Sequence, residues 1–196
     1  MNENTNINWY NQHAEDFILR SSQDDMSWPY SDFLSALTQA PAKILDLGCG
    51  PGRDLVYFKN KGHHVEGLDA SETFCQHAEK ISHARIIHQK FSELNLEPES
   101  YDGIFANAVL MHIEPKDREA FLKEIFCALR SNGIFYAHFP KGLKSEQSCD
   151  GRTLHLTPNW VDLCRHYTWE LELNEGRPKF FSPEEQTWQV IRFRKN

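Results

Sequence analysis

The stretch from Lys43 to Asp69 leaves this chain few choices of fold. Lys43–Leu47 is a short apolar run between Pro41 and Gly48, the length of a buried strand rather than of a helix. Glycines at 48, 50 and 52 follow it. Residues 54–61 then have helical character and stop at Gly62, and His64–Leu68 is a second strand that ends in Asp69. Strand, glycine turn, helix and strand together form a βαβ unit, which makes the two strands parallel and the crossover right-handed.

The alternation continues through the middle of the chain. Ser71 is placed to cap a helix over 72–82, and Arg85–His88 reads as a third strand. A turn at 98–100 leads to a fourth strand at Tyr101–Ala106. Pro115 suits the first turn of a helix running to about Arg130, with Phe121, Leu122, Ile125, Phe126 and Leu129 on one face. Asn132-Gly133 stops it before a fifth strand, Ile134–Phe139. The pattern predicts an α/β, doubly wound, mostly parallel sheet with helices on both faces.

The ends have a different texture. Residues 9–20 read as one amphipathic helix with Trp9, Tyr10, His13, Phe17 and Arg20 near helical spacing. Trp28-Pro29 interrupts the pattern, and 30–39 form a second helix that ends before Pro41. Residues 141–153 are polar and read as a loop, and a short helix runs from Thr157-Pro158 to about His166. Residues 168–173 and 187–193 alternate in polarity and suit an antiparallel pair, with a loop over 174–186 between them. A length of 196 residues suits one domain with a full core. We divide it into an N-terminal helical cap (1–40), a ligand-binding core (41–139) and a substrate-side segment of loop, helix and antiparallel strands (140–196).

Charge and cysteine usage narrow the function. A net charge of −7 works against a phosphate backbone, so no nucleic-acid partner is expected. The basic cluster Arg192, Arg194 and Lys195 has the spacing of the solvent face of a last strand. No apolar run is long enough to span a membrane, and the N-terminal residues lack a signal-peptide pattern, so the expected location is cytoplasmic. The five cysteines form no CxxC pair, and His63-His64 would face opposite sides of a strand, so no metal site is expected.

The glycine segment, Ile44-Leu45-Asp46-Leu47-Gly48-Cys49-Gly50-Pro51-Gly52-Arg53-Asp54, carries the chemistry. Glycines there let backbone approach a ligand with no Cβ in the way. Asp69, at the end of the second strand, is placed to accept both hydroxyls of a ribose. A dinucleotide site expects G-x-G-x-x-G, but the third glycine here comes one residue early and Arg53 takes its place. Asp46 would also repel a pyrophosphate, whereas a cofactor with a cationic amino-acid end would welcome it. The spacing therefore favours a nucleoside without phosphates over NAD.

With the fourth strand in YDGIFANAVLMHI and the LRSNGIFYAHF segment, these landmarks in this order resemble the class I, Rossmann-like S-adenosylmethionine-dependent methyltransferases of the small-molecule type. The resemblance covers residues 43–139. It implies a seven-stranded sheet of order 3-2-1-4-5-7-6 with the seventh strand antiparallel. It also implies S-adenosyl-L-methionine as cofactor and S-adenosyl-L-homocysteine as product. By motif, Gly48, Cys49 and Gly50 would pass under the methionine part, Asp46 would sit near its amino group, and Asp69 would hold the ribose. Ala70 and Ser71 would lie beside the adenine, and Asn107 would touch the cofactor or border the substrate. The family often places an acid after the third strand to bond the adenine amino group. Here the stretch is His88-Gln89-Lys90-Phe91, so Phe91 is expected to serve through its ring or its N–H.

Several residues admit two readings. His112 could deprotonate a substrate, or it could be a satisfied polar residue. His138 could do the same, or point into the sheet packing. Tyr10, Phe17 and Arg20 could form a lid, or plain core. Trp28, Trp160, Trp169 and Trp188 could line a pocket, or fill the interior. Cys49 reads as a small space-filler. The expected function is methyl transfer to a small molecule by in-line displacement. Beside it stand a non-catalytic S-adenosylmethionine-binding regulatory module and an NAD-linked oxidoreductase. A D/N-P-P-Y motif is absent, since Asn107 is followed by Ala108-Val109-Leu110, which lowers the case for a DNA base. The acceptor, its accepting atom and the oligomeric state stay open at this level.

Overall fold

The structure is a computed structural model that describes residues 3–141, 145–147, 151–156, 160–165, 167, 169–178 and 187–196. Its strands are β1 (Lys43–Leu47), β2 (His64–Asp69), β3 (Arg85–His88), β4 (Tyr101–Asn107), β5 (Leu129–Lys141), β6 (Ser145–Gln147), β7 (Thr153–His155), β8 (Trp169–Pro178) and β9 (Thr187–Lys195). Its α-helices are α1 (Glu3–Gln12), α2 (Ala14–Ser21), α3 (Ser27–Ala36), α4 (Arg53–Asn60), α5 (Glu72–Ser82), α6 (Arg118–Ala128) and α7 (Trp160–Cys164).

Seven strands form one sheet in the order β3-β2-β1-β4-β5-β9-β8. All are parallel except β9, which runs antiparallel to both of its neighbours. This is the expected topology, with β6 and β7 forming a separate two-stranded ribbon. Period-2 alternation sends the strand side chains to two apolar layers. Leu45, Leu47, Ile104, Ala106, Phe135 and Ala137 pack with Phe121, Leu122 and Ile125 of α6 and Trp160 of α7. Ile44, Phe105, Ile134, Tyr136 and Val190 pack on the opposite face against Tyr30 and Phe33 of α3 and Phe58 of α4. Gly103 lets α3 come close: a Cβ there would lie 2.6 Å from the Phe33 ring.

The departures from expectation lie mostly at the ends. The first amphipathic helix is two helices, broken at His13, which has φ −110° and ψ 22°. Trp28-Pro29 does not interrupt a helix but lies in the first turn of α3, where the N–H that proline lacks would have no partner anyway. The helix after Pro115 begins as a 3₁₀ turn, Pro115–Asp117, and ends at Ala128. β5 starts earlier than Ile134 because Leu129 pairs with Tyr101, with a register shift before Gly103. The polar 141–153 stretch is not all loop, since β6 lies within it and pairs with β7. β8 runs on to Pro178, so 174–178 is strand; residues 179–186, the expected helix start at Thr157-Pro158, His166, Thr168 and Cys149 lie outside the described residues.

The basic cluster does not face solvent. Arg192 and Arg194 each bond Glu172 (2.9 and 2.5 Å), Arg192 also bonds Asp32, and Lys195 is buried with Nζ donating to the Leu129 carbonyl (2.6 Å). The two arginines are thus committed to carboxylates of α3 and β8. Among the described residues, no helix is long and apolar enough to cross a membrane.

Candidate active site

A cavity of about 500 Å³ opens where the parallel strands end. Four neighbouring strands deliver residues to it in order along the sheet: Asp69 closes β2, the glycine loop follows β1, Asn107 closes β4 and His138 lies in β5. Trp188 enters at the start of β9, opposite Pro140. With strands about 4.8 Å apart, Asp69 and His138 stand roughly 14 Å from each other, so the cavity is a trough lying across the strand ends. Asn6, Ile7 and Tyr10 of α1, Phe17 of α2 and Met26 to Pro29 at the start of α3 roof it.

The glycine loop is held from below and open above. Gly48 and Cys49 both donate their N–H to the Leu68 carbonyl (2.7 and 3.0 Å). At Gly52, φ is +96° and a Cβ would lie 2.8 Å from the Cα of Ala78, so this position lets α4 seat against α5. At Gly50, φ is +51° and a Cβ would meet nothing within 4 Å. That emptiness is the cavity itself, and it gives a ligand access to bare backbone.

Asp69 ties the loop to the second strand. Its Oδ2 accepts the Gly50 N–H and its Oδ1 accepts the Ser71 N–H, each at 2.8 Å. Burial raises its pKa, and the amides of Ser71, Gly50 and Ala70 oppose the rise. A carboxylate offers about four lone-pair positions. Backbone amides occupy part of that capacity on both oxygens, and the remainder is open to hydroxyl donors in the cavity. Ala70 and Ser71 line the wall beside it. Ser71 caps α5 by accepting the Phe74 N–H (3.2 Å) and donates to Asn11 of α1 (2.6 Å).

Asp46 is placed differently from the other residues carried over by resemblance. It is buried, is not part of the cavity wall, and accepts the Leu55 amide at the start of α4. Its Oδ2 has no partner. Burial holds its pKa well above the usual carboxylate range, and the nearby Asp54 charge pushes the same way while Arg53 opposes. Asp54 in turn accepts Tyr30 Oη and Arg53 Nε (2.5 and 2.6 Å), and burial followed by the Asp54 charge drives the Tyr30 pKa up. Burial and the neighbouring Asp54 charge together favour the neutral carboxyl at Asp46, and Arg53 is bonded to Asp54.

His112 sits in the cavity wall with both ring nitrogens engaged. Tyr10 Oη lies 3.1 Å from Nε2 and Asn6 Nδ2 lies 3.4 Å from Nδ1. Burial, followed by the charge of Arg152, lowers its pKa to about 3. A neutral ring clamped by α1 fastens the roof, as a satisfied polar residue would. The same helix alters the reading of Phe91. Its N–H already donates to Glu3 Oε1 (2.7 Å), and Ser92 Oγ donates to Glu3 Oε2 (2.5 Å). The Phe91 ring, not its N–H, is what faces the cavity.

Tyr10 and Phe17 line the cavity, while Arg20 is absent from its wall and lies over the Phe17 ring at 5.4 Å. Cys49 belongs to the wall, and burial and then the Asp69 charge push its thiol pKa well above the usual range. Trp160 and Trp169 pack in the core, while Trp28 and Trp188 reach the cavity. His138 does not point into the sheet packing. It lines the cavity, pairs in register with Asn107, and places Nδ1 3.1 Å from Asn107 Oδ1. The Trp188 ring lies 4.5 Å from the His138 ring. Sequence reasoning did not group these three, nor Met26 and Pro29. The available signal was period 2: His138 falls on the same face of β5 as Ile134 and Tyr136, one step beyond the core.

Residues 44–133 match a family model described as a methyltransferase domain. Among curated proteins the chain is 30% identical over 148 residues to an arsenite methyltransferase of Mus musculus, covering 62% of this chain and 38% of that protein. It is 30% identical over 125 residues to a trans-aconitate 2-methyltransferase of Rhodopseudomonas palustris, covering 60% and 46%. The chain thus spans less than half the length of these curated relatives. Among solved structures, it superposes on a Burkholderia thailandensis 1,6-didemethyltoxoflavin-N1-methyltransferase with bound S-adenosylhomocysteine at a TM-score of 0.79, with 21% identity and coverage of 98% and 88%. A TehB-like methyltransferase of Corynebacterium glutamicum gives a TM-score of 0.69 at 23% identity, with coverage of 97% and 98%.

Proposed function

We propose that this chain, which carries a class I S-adenosylmethionine-dependent methyltransferase domain over residues 44–133, moves a methyl group from that cofactor to a small organic acceptor. The observation that carries the reading is Asp69 beside Gly50: a carboxylate at the cavity wall with acceptor capacity beyond its backbone partners, next to backbone that no described side chain covers. S-adenosylmethionine supplies a methyl group on a sulfonium centre, whose departure as a neutral thioether needs no proton.

The residues present fit such a group. Asp69 holds the ribose hydroxyls, and Ala70, Ser71 and the Phe91 ring border the adenine. Gly48, Cys49 and Gly50 pass under the amino-acid part. Asp46 lies just behind that loop, outside the cavity wall, where it holds the Leu55 amide at the start of α4 rather than the ligand. Asn107 stands between the cofactor half and the acceptor half, and Tyr10 and Phe17 close the roof. The chain's main contribution to rate is alignment, which can supply roughly 7–11 kcal/mol when two reactants are held in line. No proton acceptor is assigned to His112, because both of its nitrogens are engaged with the roof. A roofed trough with acidic walls suits a small molecule better than a nucleic acid.

Calorimetry with S-adenosylmethionine, S-adenosylhomocysteine and NAD tests the proposal. Binding of both sulfur nucleosides and not of NAD is expected. Tight binding of NAD, with neither sulfur nucleoside bound, would refute it.

A further inference from the structure

We propose that Glu3, in the first turn of α1, recognises the exocyclic amino group of the cofactor's adenine, and so supplies from the roof the acid that the segment after β3 lacks. This rests on the reading that the Asp69 end of the trough holds S-adenosylmethionine.

The first observation is where the carboxylate lies. Residues 88–92 read His-Gln-Lys-Phe-Ser, with no acid. The next residue, Glu93, is exposed, pairs with Lys90 (3.8 Å) and is not part of the cavity wall. Glu3 arrives instead from 88 positions upstream of Phe91. Its Oε1 accepts the Phe91 N–H (2.7 Å), and its Oε2 accepts the Ser92 hydroxyl and N–H (2.5 and 3.4 Å). It is half-buried and lines the cavity together with Phe91. β3 is the edge of the sheet and pairs with β2, which ends in Asp69. Glu3 therefore stands on the side of Asp69 away from the glycine loop. A nucleoside with its ribose at Asp69 and its amino-acid part over that loop turns its base to this side.

The second observation is what the carboxylate can do there. The other acids of the described wall are committed elsewhere: Asp24 and Asp54 bond Arg53 at the start of α4, and Asp25 accepts the Ser27 N–H (2.9 Å). Of the three donors from Phe91 and Ser92, Oε1 takes one, which leaves that oxygen acceptor capacity. An ionised carboxylate only accepts, and the adenine amino group only donates. A base with a carbonyl at the same place would set two acceptors against each other, with no proton between them.

The third observation is that α1 is fastened along its length. The Glu3 N–H donates to Glu114 (3.2 Å), Asn6 exchanges two hydrogen bonds with the Thr153 backbone (2.9 and 2.8 Å), and Asn11 accepts Ser71 Oγ (2.6 Å). The carboxylate is thus held in place before a ligand arrives, which lowers the ordering cost of using it.

The test measures, by calorimetry, binding of S-adenosylhomocysteine and of two analogues with altered bases. One is the purine analogue without the amino group, and the other is S-inosylhomocysteine, with a carbonyl in its place. The unmodified protein should bind each analogue about tenfold or more weaker than the adenine form, the scale of one hydrogen bond to a charged group. On Glu3→Ala that discrimination should shrink to about threefold or less, because the partner of the amino group is gone, whatever a loosened roof does to all three ligands alike. Glu3→Gln keeps an oxygen for the Phe91 N–H and brings an NH₂ that can donate to the carbonyl. Its preference should therefore move toward the inosine form at least as far as that of Glu3→Ala. Circular dichroism checks that both variants are folded. Discrimination absent from the unmodified protein, or unchanged in both variants, would overturn the proposal and leave Glu3 as a fastening of α1. Tighter binding of S-adenosylhomocysteine by Glu3→Ala would also overturn it, by showing that Glu3 occupies an N–H the adenine needs. Failure of the unmodified protein to bind S-adenosylhomocysteine at all would instead overturn the cofactor reading beneath it.

Discussion

Replacing Asp69 separates its two jobs. It accepts the Gly50 and Ser71 amides, and it presents its remaining acceptor capacity to a ribose. Hydrogen bonds to a charged group contribute about 1.5–3 kcal/mol each, so one hydroxyl is worth roughly ten- to hundredfold in affinity. Asp69→Ala removes both hydroxyl partners and should weaken S-adenosylhomocysteine by about a hundredfold to ten-thousandfold. Asp69→Asn keeps one oxygen but turns an NH₂ toward one of the two backbone N–H groups, so it should fall between parent and Ala. The decisive comparison uses 2′-deoxy-S-adenosylhomocysteine. On the parent, losing that hydroxyl should cost roughly ten- to hundredfold; on Asp69→Ala it should cost little, because the partner is already gone. Calorimetry on all four combinations gives the coupling, and circular dichroism checks that each variant is folded. Equal losses on parent and Asp69→Ala would show that Asp69 does not hold that hydroxyl.

Gly50→Val puts a β-branched residue at a φ of +51°, a local strain of about 1–2 kcal/mol, while its Cβ meets nothing within 4 Å; circular dichroism should still show a folded domain and calorimetry no cofactor binding, and normal binding by a folded variant would exclude the loop as the cradle. Gly103→Ala should lower stability by about 1–3 kcal/mol in urea melts, because its Cβ would lie 2.6 Å from Phe33 and 2.8 Å from Leu37 in a packed layer. His112, whose folded pKa is lowered to about 3, stays neutral while the unfolded chain takes up a proton below about 6.5. Its contribution to stability is therefore present above about pH 6.5 and is lost as pH falls toward 3. His112→Gln should flatten that part of the melting-temperature profile, and an unchanged slope would refute the neutral-ring reading.

The central fold was legible because parallel strands buried on both faces read as short apolar runs, and glycine or asparagine marks their ends. Lys43–Leu47 and Arg85–His88 keep the limits read from sequence. The ends were harder. His13 carries no breaker signal, yet the chain bends there so that α1 and α2 can both lie over the cavity. The glycine loop and Asp69 could be read locally, since one βαβ unit supplies them. The acceptor end could not. Asn107, His138 and Trp188 meet only through the register of β4, β5 and β9, and Phe91 loses its N–H to Glu3, 88 positions away.

The place of β9 has a consequence for the newborn chain. The last strand in sequence is not at the sheet's edge but between β5 and β8. A ribosome therefore releases β5 and β8 before the strand that joins them exists. Until residues 187–195 emerge, the 13-residue β5 presents one side of its backbone unpaired, a template for pairing with another chain. Domains commonly mature from the N-terminus during synthesis. The nucleoside half of the trough, built from β1, β2 and α4, can form early, whereas the half containing Trp188 waits for the final strand. Nascent chains stalled before Thr187 should thus be the species most in need of a chaperone.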